Sequence, residues 1–108
     1  MKILAVSMHS REFAFINLEK EVNYIELWRV NGNSSKVLAY HTSHGSYLAI
    51  STIRDAAEVY EVYGFRLLDQ STIVNMRLVK EIVETVNGSN VTFLDGSHIP
   101  IRKKLNYP

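Results

Sequence analysis

Polar and apolar positions alternate in short runs along most of this chain. In EFAFINL, Phe13, Phe15 and Asn17 fall on one face of an extended segment and Ala14, Ile16 and Leu18 on the other, the period-two pattern of a half-buried strand. KILAVS before it and EVNYIELWRV, KVLAYHTS and YLAIS after it also read as strands, rich in β-branched, aromatic and aliphatic residues. The breaks between them are turn signals: HSR, the Asn-Gly pair and two serines of NGNSS, and the glycine of HGS. Further on, VKEIVETV and NVTFL are expected to be strands joined by NGSN, followed by a tight turn at Asp95-Gly96 and a last short strand, HIPI. Pro100 has no N–H to give to a ladder, which puts that last strand at a sheet edge.

One segment has the helical period. In STIRDAAEVYEVYGF, Ile53, Ala56, Ala57 and Tyr60 make an apolar stripe. Ser51 or Thr52 is placed to cap its start, Asp55 lies in the first turn, and Gly64 is a stop. Asp55, Glu58 and Glu61 lie off the stripe. Their charge would repel a phosphate backbone, so this helix is not expected to enter a DNA groove.

FRLLDQSTIVNMRLV fits neither period. Polar Asp69, Gln70, Ser71 and Thr72 interrupt two apolar stretches, and Asn75 follows Val74. The expectation is a surface corner. Phe65, Leu67 or Leu68, Ile73 and Val74 anchor it, Gln70 and Ser71 face outward, and Asn75 satisfies backbone groups where the corner enters a helical turn near Asn75 to Leu78. The fold class expected is mostly β with one short helix.

The chain has 108 residues, enough for a single domain, 1–108, with one modest core. It has no cysteine, which excludes a disulfide framework and thiolate chemistry and agrees with a reducing, cytoplasmic setting. The apolar run after Met1 is too short for a signal peptide core, and nothing approaches a membrane span. Met1 opens directly into the first strand, as in a free-standing chain; a fragment of a longer regulator is equally compatible. Net charge is +1, low for a nonspecific polyanion binder. The charge is uneven, however, with Glu19, Glu21 and Glu26 early and Arg102, Lys103 and Lys104 consecutive near the end.

Constellations for catalysis are weak. His41 and His44 lack further ligands at metal spacing. Ser71 lacks a nucleophile elbow, and no Gly-rich phosphate loop occurs. Neither enzyme activity nor a metal or cofactor is expected. Binding chemistry is better represented. Asn31, Asn33, Ser34, Ser35 and Lys36 form a polar loop with groups suited to phosphates and base edges, set against the plainer reading of a solvated hairpin loop. Trp28 reads as a core or sheet-face anchor rather than a base-stacking platform.

The order of these features resembles the LytTR DNA-binding domain family of bacterial transcription regulators, often found behind a receiver domain. NYIEL looks like the family's "I-x-Y-I-E" strand, and HTSHGSYLAISTIRDAAEV like its "T-x-x-G-x-Y" strand and short helix. GFRLLDQSTIVNM looks like its core motif ending in "V-N", and VTFLDGSHIPIRKK like its closing "D-G-x-x-I-P-V-S-R" element. The resemblance covers about Asn23 to Lys104.

It implies a compact β fold of about seven to ten short strands with DNA contacts from loops and strand ends. Three surfaces carry over by position: Asn31, Asn33, Ser34 and Lys36; Asp69, Gln70 and Ser71; and Arg102, Lys103 and Lys104. They are expected to converge on one exposed side. The family's corner, "R-x-H-R-S", is basic; here Leu67, Asp69 and Gln70 stand in it, and Arg102 stands for the closing Ser. Gln70 suits adenine, while Asp69 facing phosphate would cost affinity unless it accepts from a base amino group. The implied partner is double-stranded DNA at repeated promoter sites, with a homodimer on DNA and a receiver domain or regulatory protein as further partners. Two other readings stay open: a protein-interaction module on the same fold, motivated by Asp69 and the near-neutral charge, and a small ligand-binding β domain.

Overall fold

The structure, a computed structural model, describes residues 1–29 and 36–105. Ten strands and two short helices follow in the order β1 (Lys2–Ser7), β2 (Phe13–Asn17), α1 (Leu18–Glu21), β3 (Val22–Leu27), β4 (Val37–Thr42), β5 (Gly45–Ile50), α2 (Ile53–Tyr60), β6 (Phe65–Asp69), β7 (Thr72–Asn75), β8 (Val79–Thr85), β9 (Gly88–Phe93) and β10 (His98–Ile101). The expected fold class is therefore observed. Two sheets form: a seven-stranded one ordered β2-β1-β5-β4-β3-β7-β6 and a three-stranded one ordered β10-β9-β8. Pro100 lies on an edge strand, as its missing donor requires.

Alternation along the large sheet sends neighbouring residues into two cores. Ile25, Leu38, Tyr40, Phe65 and Ile73 pack with Ala56 and Tyr60 of α2 on one side. Leu68 and Val74 pack on the other with Val91, Phe93, Ile99 and Ile101 of the small sheet. The result is three layers: helix, large sheet, small sheet. Each fully buried aliphatic or aromatic side chain contributes about 1.5–3 kcal/mol.

Helix α2 forms where the apolar stripe requires it. Thr52 is its N-cap, its hydroxyl accepting from Asp55 N–H at 3.2 Å. The Tyr40 and Tyr60 hydroxyls meet at 3.0 Å inside the first core, and their rings pack edge to face at 6.3 Å. Burial and this neighbour push the Tyr40 phenol far above its ordinary range. A 3-10 turn, Glu61–Tyr63, closes the helix into Gly64, whose φ of 93° is the left-handed stop the sequence predicted.

Three local expectations change. EFAFINL leaves the extended form at Leu18, where α1 makes one turn capped by Asn17. The β8–β9 hairpin pairs Thr85 with Gly88, so its turn residues are Val86 and Asn87 rather than NGSN. Gly88 is already in β9, and a Cβ there would lie 2.0 Å from the Ile101 carbonyl oxygen; the glycine permits a close backbone approach instead of a turn. At the corner, a register shift between Leu67 and Asp69 settles the open choice of anchor: Leu68 is buried and Leu67 is exposed.

Asn75 has the structural role expected. It is fully buried, its Nδ2 donates to the Glu19 and Val22 carbonyls at 3.1 and 2.9 Å, and its Oδ1 accepts from Arg77 N–H at 3.2 Å. One amide thereby joins α1, β3 and the 3-10 turn Met76–Leu78.

Candidate nucleic-acid interface

Strands β6 and β7 form a hairpin with Gln70 and Ser71 at its turn. Gln70 is not a turn former, and the local solution is Asp69: its Oδ1 accepts from Ser71 N–H at 3.0 Å, an Asx-type turn. Pairing of β7 with β3 sets Thr72 opposite Glu26, and Leu27 N–H donates to the Ser71 carbonyl at 3.1 Å. The turn thus lies beside the outgoing end of β3.

On the other flank of β3, Trp28 N–H donates to the Val37 carbonyl at 2.9 Å. Lys36 is exposed and its carbonyl accepts from Ser51 N–H at 3.0 Å. It therefore sits at the same end of the large sheet as the Gln70–Ser71 turn. Asn31, Asn33 and Ser34 lie outside the described residues.

The closing strand of the small sheet joins this end. Arg102 N–H donates to Asp69 Oδ2 at 3.2 Å. Asp69, Gln70, Ser71, Arg102 and Lys103 then line one open groove of about 730 Å³, together with Trp28 and Arg29. A second hollow, lined by Tyr24, Asn87, Asn90 and Pro100, shares Glu26, Asp69, Ser71 and Arg102 with the first. The Asp69–Arg102 contact stands where the two meet. Lys104 goes elsewhere: it pairs with Glu84 at 3.6 Å and lines a neighbouring hollow with Arg66 and Lys103.

The groove holds three cationic side chains, Arg29, Arg102 and Lys103, against two carboxylates, Glu26 and Asp69. Both carboxylates have partners. Asp69 accepts the two backbone N–H groups already named. Glu26 Oε2 lies 2.5 Å from His41 Nε2, whose Nδ1 is 2.6 Å from Ser46 Oγ. His41 also stacks on Tyr24 at 4.4 Å, and Tyr24 on Phe93 at 5.8 Å. Burial, with the Glu26 charge second, pushes the Tyr24 phenol upward.

The sequence did not single out Trp28 or Arg29 for this surface. Trp28 is half-buried and reaches the groove from the strand end. The available signal was position: both stand shortly before the polar stretch from Asn31 to Lys36 in the sequence. Acidic α2 and the turn after it line a different hollow, through Glu58 and Glu61, that shares no residue with the groove. Among the described residues no cluster of three or more metal-ligating side chains occurs, and no helix is long and apolar enough to cross a membrane.

Comparison with solved structures gives a match to the LytTr DNA-binding domain of a putative methyl-accepting/DNA response regulator from Bacillus cereus. The TM-score is 0.72 at 14% identity, covering 94% of this chain and 85% of that one. At such identity the match speaks for the fold. Comparison with curated proteins gives no match. The family model of the LytTr DNA-binding domain matches residues 13–106, nearly the whole of the two-sheet architecture. The chain therefore belongs to the LytTR DNA-binding domain family.

Proposed function

We propose that this chain is a sequence-specific transcription regulator that reads duplex DNA with the sheet end described above, inside the cytoplasm. The observation that carries the reading is the shared groove: the Gln70–Ser71 turn and the Arg102–Lys103 segment, far apart in sequence, bound one exposed depression with Arg29. Amide and hydroxyl groups at its centre suit base edges, and cations at its rim suit phosphates. Gln70 and Ser71 enter the major groove. Arg29, Arg102 and Lys103 lie against the backbone, with Lys36, Asn31, Asn33 and Ser34 as further contacts. Asp69 orders the turn and the closing strand and does not itself meet DNA. Lys104 makes a peripheral phosphate contact. Repeated promoter sites are the target class.

The test is selection of bound duplexes from a random oligonucleotide pool, followed by titration of the recovered site at several salt concentrations. The expected result is binding that survives competitor DNA and weakens with salt with a slope of about −0.9 per phosphate contact. Absence of any such site would favour a protein-interaction module on the same fold, a reading supported by the near balance of charge in the groove.

A further inference from the structure

The first two strands carry a surface that the nucleic-acid groove does not use. β2 is an outer edge of the seven-stranded sheet. It pairs with β1 in the register Ile3 to Ile16, Leu4 to Phe15 and Val6 to Phe13. Leu18 N–H donates to the Met1 carbonyl and Ser7 N–H to the Glu12 carbonyl. In an antiparallel ladder these bonds alternate, so the even-numbered residues of β2 face β1. The N–H and C=O groups of Phe13 and Phe15 point away from it, along the open edge. Asn17 N–H also points outward but is taken by Glu21 Oε2 at 2.6 Å.

Such an edge is normally blunted by lysine, proline or an inward charge. FAFIN has none of these. Its outer face is also apolar: Phe13 and Phe15 are 74% and 70% exposed, and Leu4, beside Phe15, is 51% exposed. Val6 and Leu48, paired across β1 and β5, continue that face. The two phenylalanine rings alone expose roughly 300 Å², and with Leu4 the patch has the size that on a monomer's surface is often functional.

We infer that β2 is a self-association edge, where a second copy of this chain pairs antiparallel to extend the large sheet. The edge is complementary to itself. With the twofold axis at Ala14, each copy's Phe13 lies opposite the partner's Phe15. The four N–H and four C=O groups left open on the two Phe13 and two Phe15 residues then bond one another. Aromatic pairs directly across strands favour this register, and the occupied Asn17 N–H is not needed. The antiparallel arrangement also brings exposed Arg11, before the strand, toward the partner's Glu19–Glu21 turn. Isologous contacts of this kind close into a dimer and leave no further edge of the same sort. The groove lies beyond β5 and β4 from this edge, so both copies keep it open.

The test is sedimentation of the full chain over a range of concentrations, with hydrogen exchange read at individual amides. The expected result is a monomer–dimer equilibrium in which Phe13 and Phe15 amides become protected as concentration rises. Phe15→Lys, on an exposed side chain, should keep the circular dichroism spectrum and weaken association about tenfold or more. Phe13→Lys should do the same, which guards against a fault peculiar to one variant. A chain that stays monomeric throughout overturns the inference and leaves the edge to a strand of another protein. A dimer unchanged by both substitutions, or one that leaves the two amides unprotected, overturns it as well.

Discussion

Asp69 ties its own hairpin to Arg102, thirty-three residues further along the chain, by accepting that residue's backbone N–H at 3.2 Å. The same carboxylate holds Ser71 N–H at 3.0 Å. An acid in a phosphate-facing groove is unfavourable if its charge is idle, but this one is engaged by two donors. Asp69→Ala should therefore lower affinity for the selected site while leaving nonspecific DNA binding equal or tighter, because a negative charge is removed as the turn loosens. Stability should fall by roughly 0.5–2 kcal/mol for the lost hydrogen bonds. Faster exchange of the Arg102 amide would report the broken tether, and an unchanged rate would show that it holds nothing.

Gln70 and Lys103 share the groove but offer different chemistry. Gln70→Ala should cost about 1–3 kcal/mol of discrimination at one or two base pairs and little elsewhere. Lys103→Ala should weaken binding to every sequence and reduce the salt slope by about 1. Lys104 is already paired with Glu84 and lines another hollow, so Lys104→Ala should have the smaller effect of the two. Titrations against matched and single-substituted sites at two salt concentrations check all three.

The sequence pattern carried the strands, the helix and the role of Asn75, because each depends on local period or on one side chain's capacity. Phe13 and Phe15 facing away from Ile16 could be read from alternation alone. What was not legible depends on pairing. The shift between Leu67 and Asp69 that buries Leu68 arises from register with β7, which no local pattern encodes. Gly88 looked like a turn glycine because the approach of the Ile101 backbone comes from a strand ten or more residues away. The union of Arg29 with Arg102 and Lys103 follows from β7 inserting beside β3, a long-range choice. The corner motif showed that a turn occurs; only the sheet order showed what it turns beside.

Asn75→Ala should be among the most damaging substitutions outside the apolar cores. It leaves the Glu19 and Val22 carbonyls and the Arg77 N–H without this partner at a fully buried position. The expected loss is roughly 2–4 kcal/mol, read as a lower urea midpoint with unchanged slope. Asn75→Asp should fail to rescue, since a carboxylate cannot donate to the two carbonyls.

Gly88→Ala adds a methyl 2.0 Å from the Ile101 carbonyl oxygen. Backbone cannot swing aside as a flexible side chain can, so β9 and β10 must separate. A destabilisation of about 1–3 kcal/mol is expected. Because Ser89 Oγ donates to the Lys103 carbonyl at 2.8 Å, the displacement should reach the groove rim. DNA affinity should fall with stability in this variant, whereas a change confined to stability would separate the β9–β10 approach from the positioning of Lys103.

Asp95 links the small sheet to the large one and gives stability a pH dependence of known sign. Its carboxylate accepts from the Ser43 hydroxyl at 2.5 Å, the Ser97 hydroxyl and N–H at 2.6 and 2.9 Å, and the Asn23 amide at 2.8 Å. These donors, Ser43 first and Ser97 next, hold its folded pKa well below the ordinary 3.8. Unfolding releases them, so the unfolded chain binds a proton more readily. The stabilisation is therefore fully present above the unfolded carboxylate's value and is lost as pH falls through the folded one. Asp95→Asn keeps an acceptor and removes the titration. Urea unfolding of both proteins from about pH 7 to about pH 3 should show wild type more stable at the upper end, with the difference shrinking below about pH 4. Other carboxylates, Glu19 included, titrate in both proteins and cancel in that comparison. A difference independent of pH would mean that Asp95 acts through its shape alone and that its charge contributes nothing to the junction between the sheets.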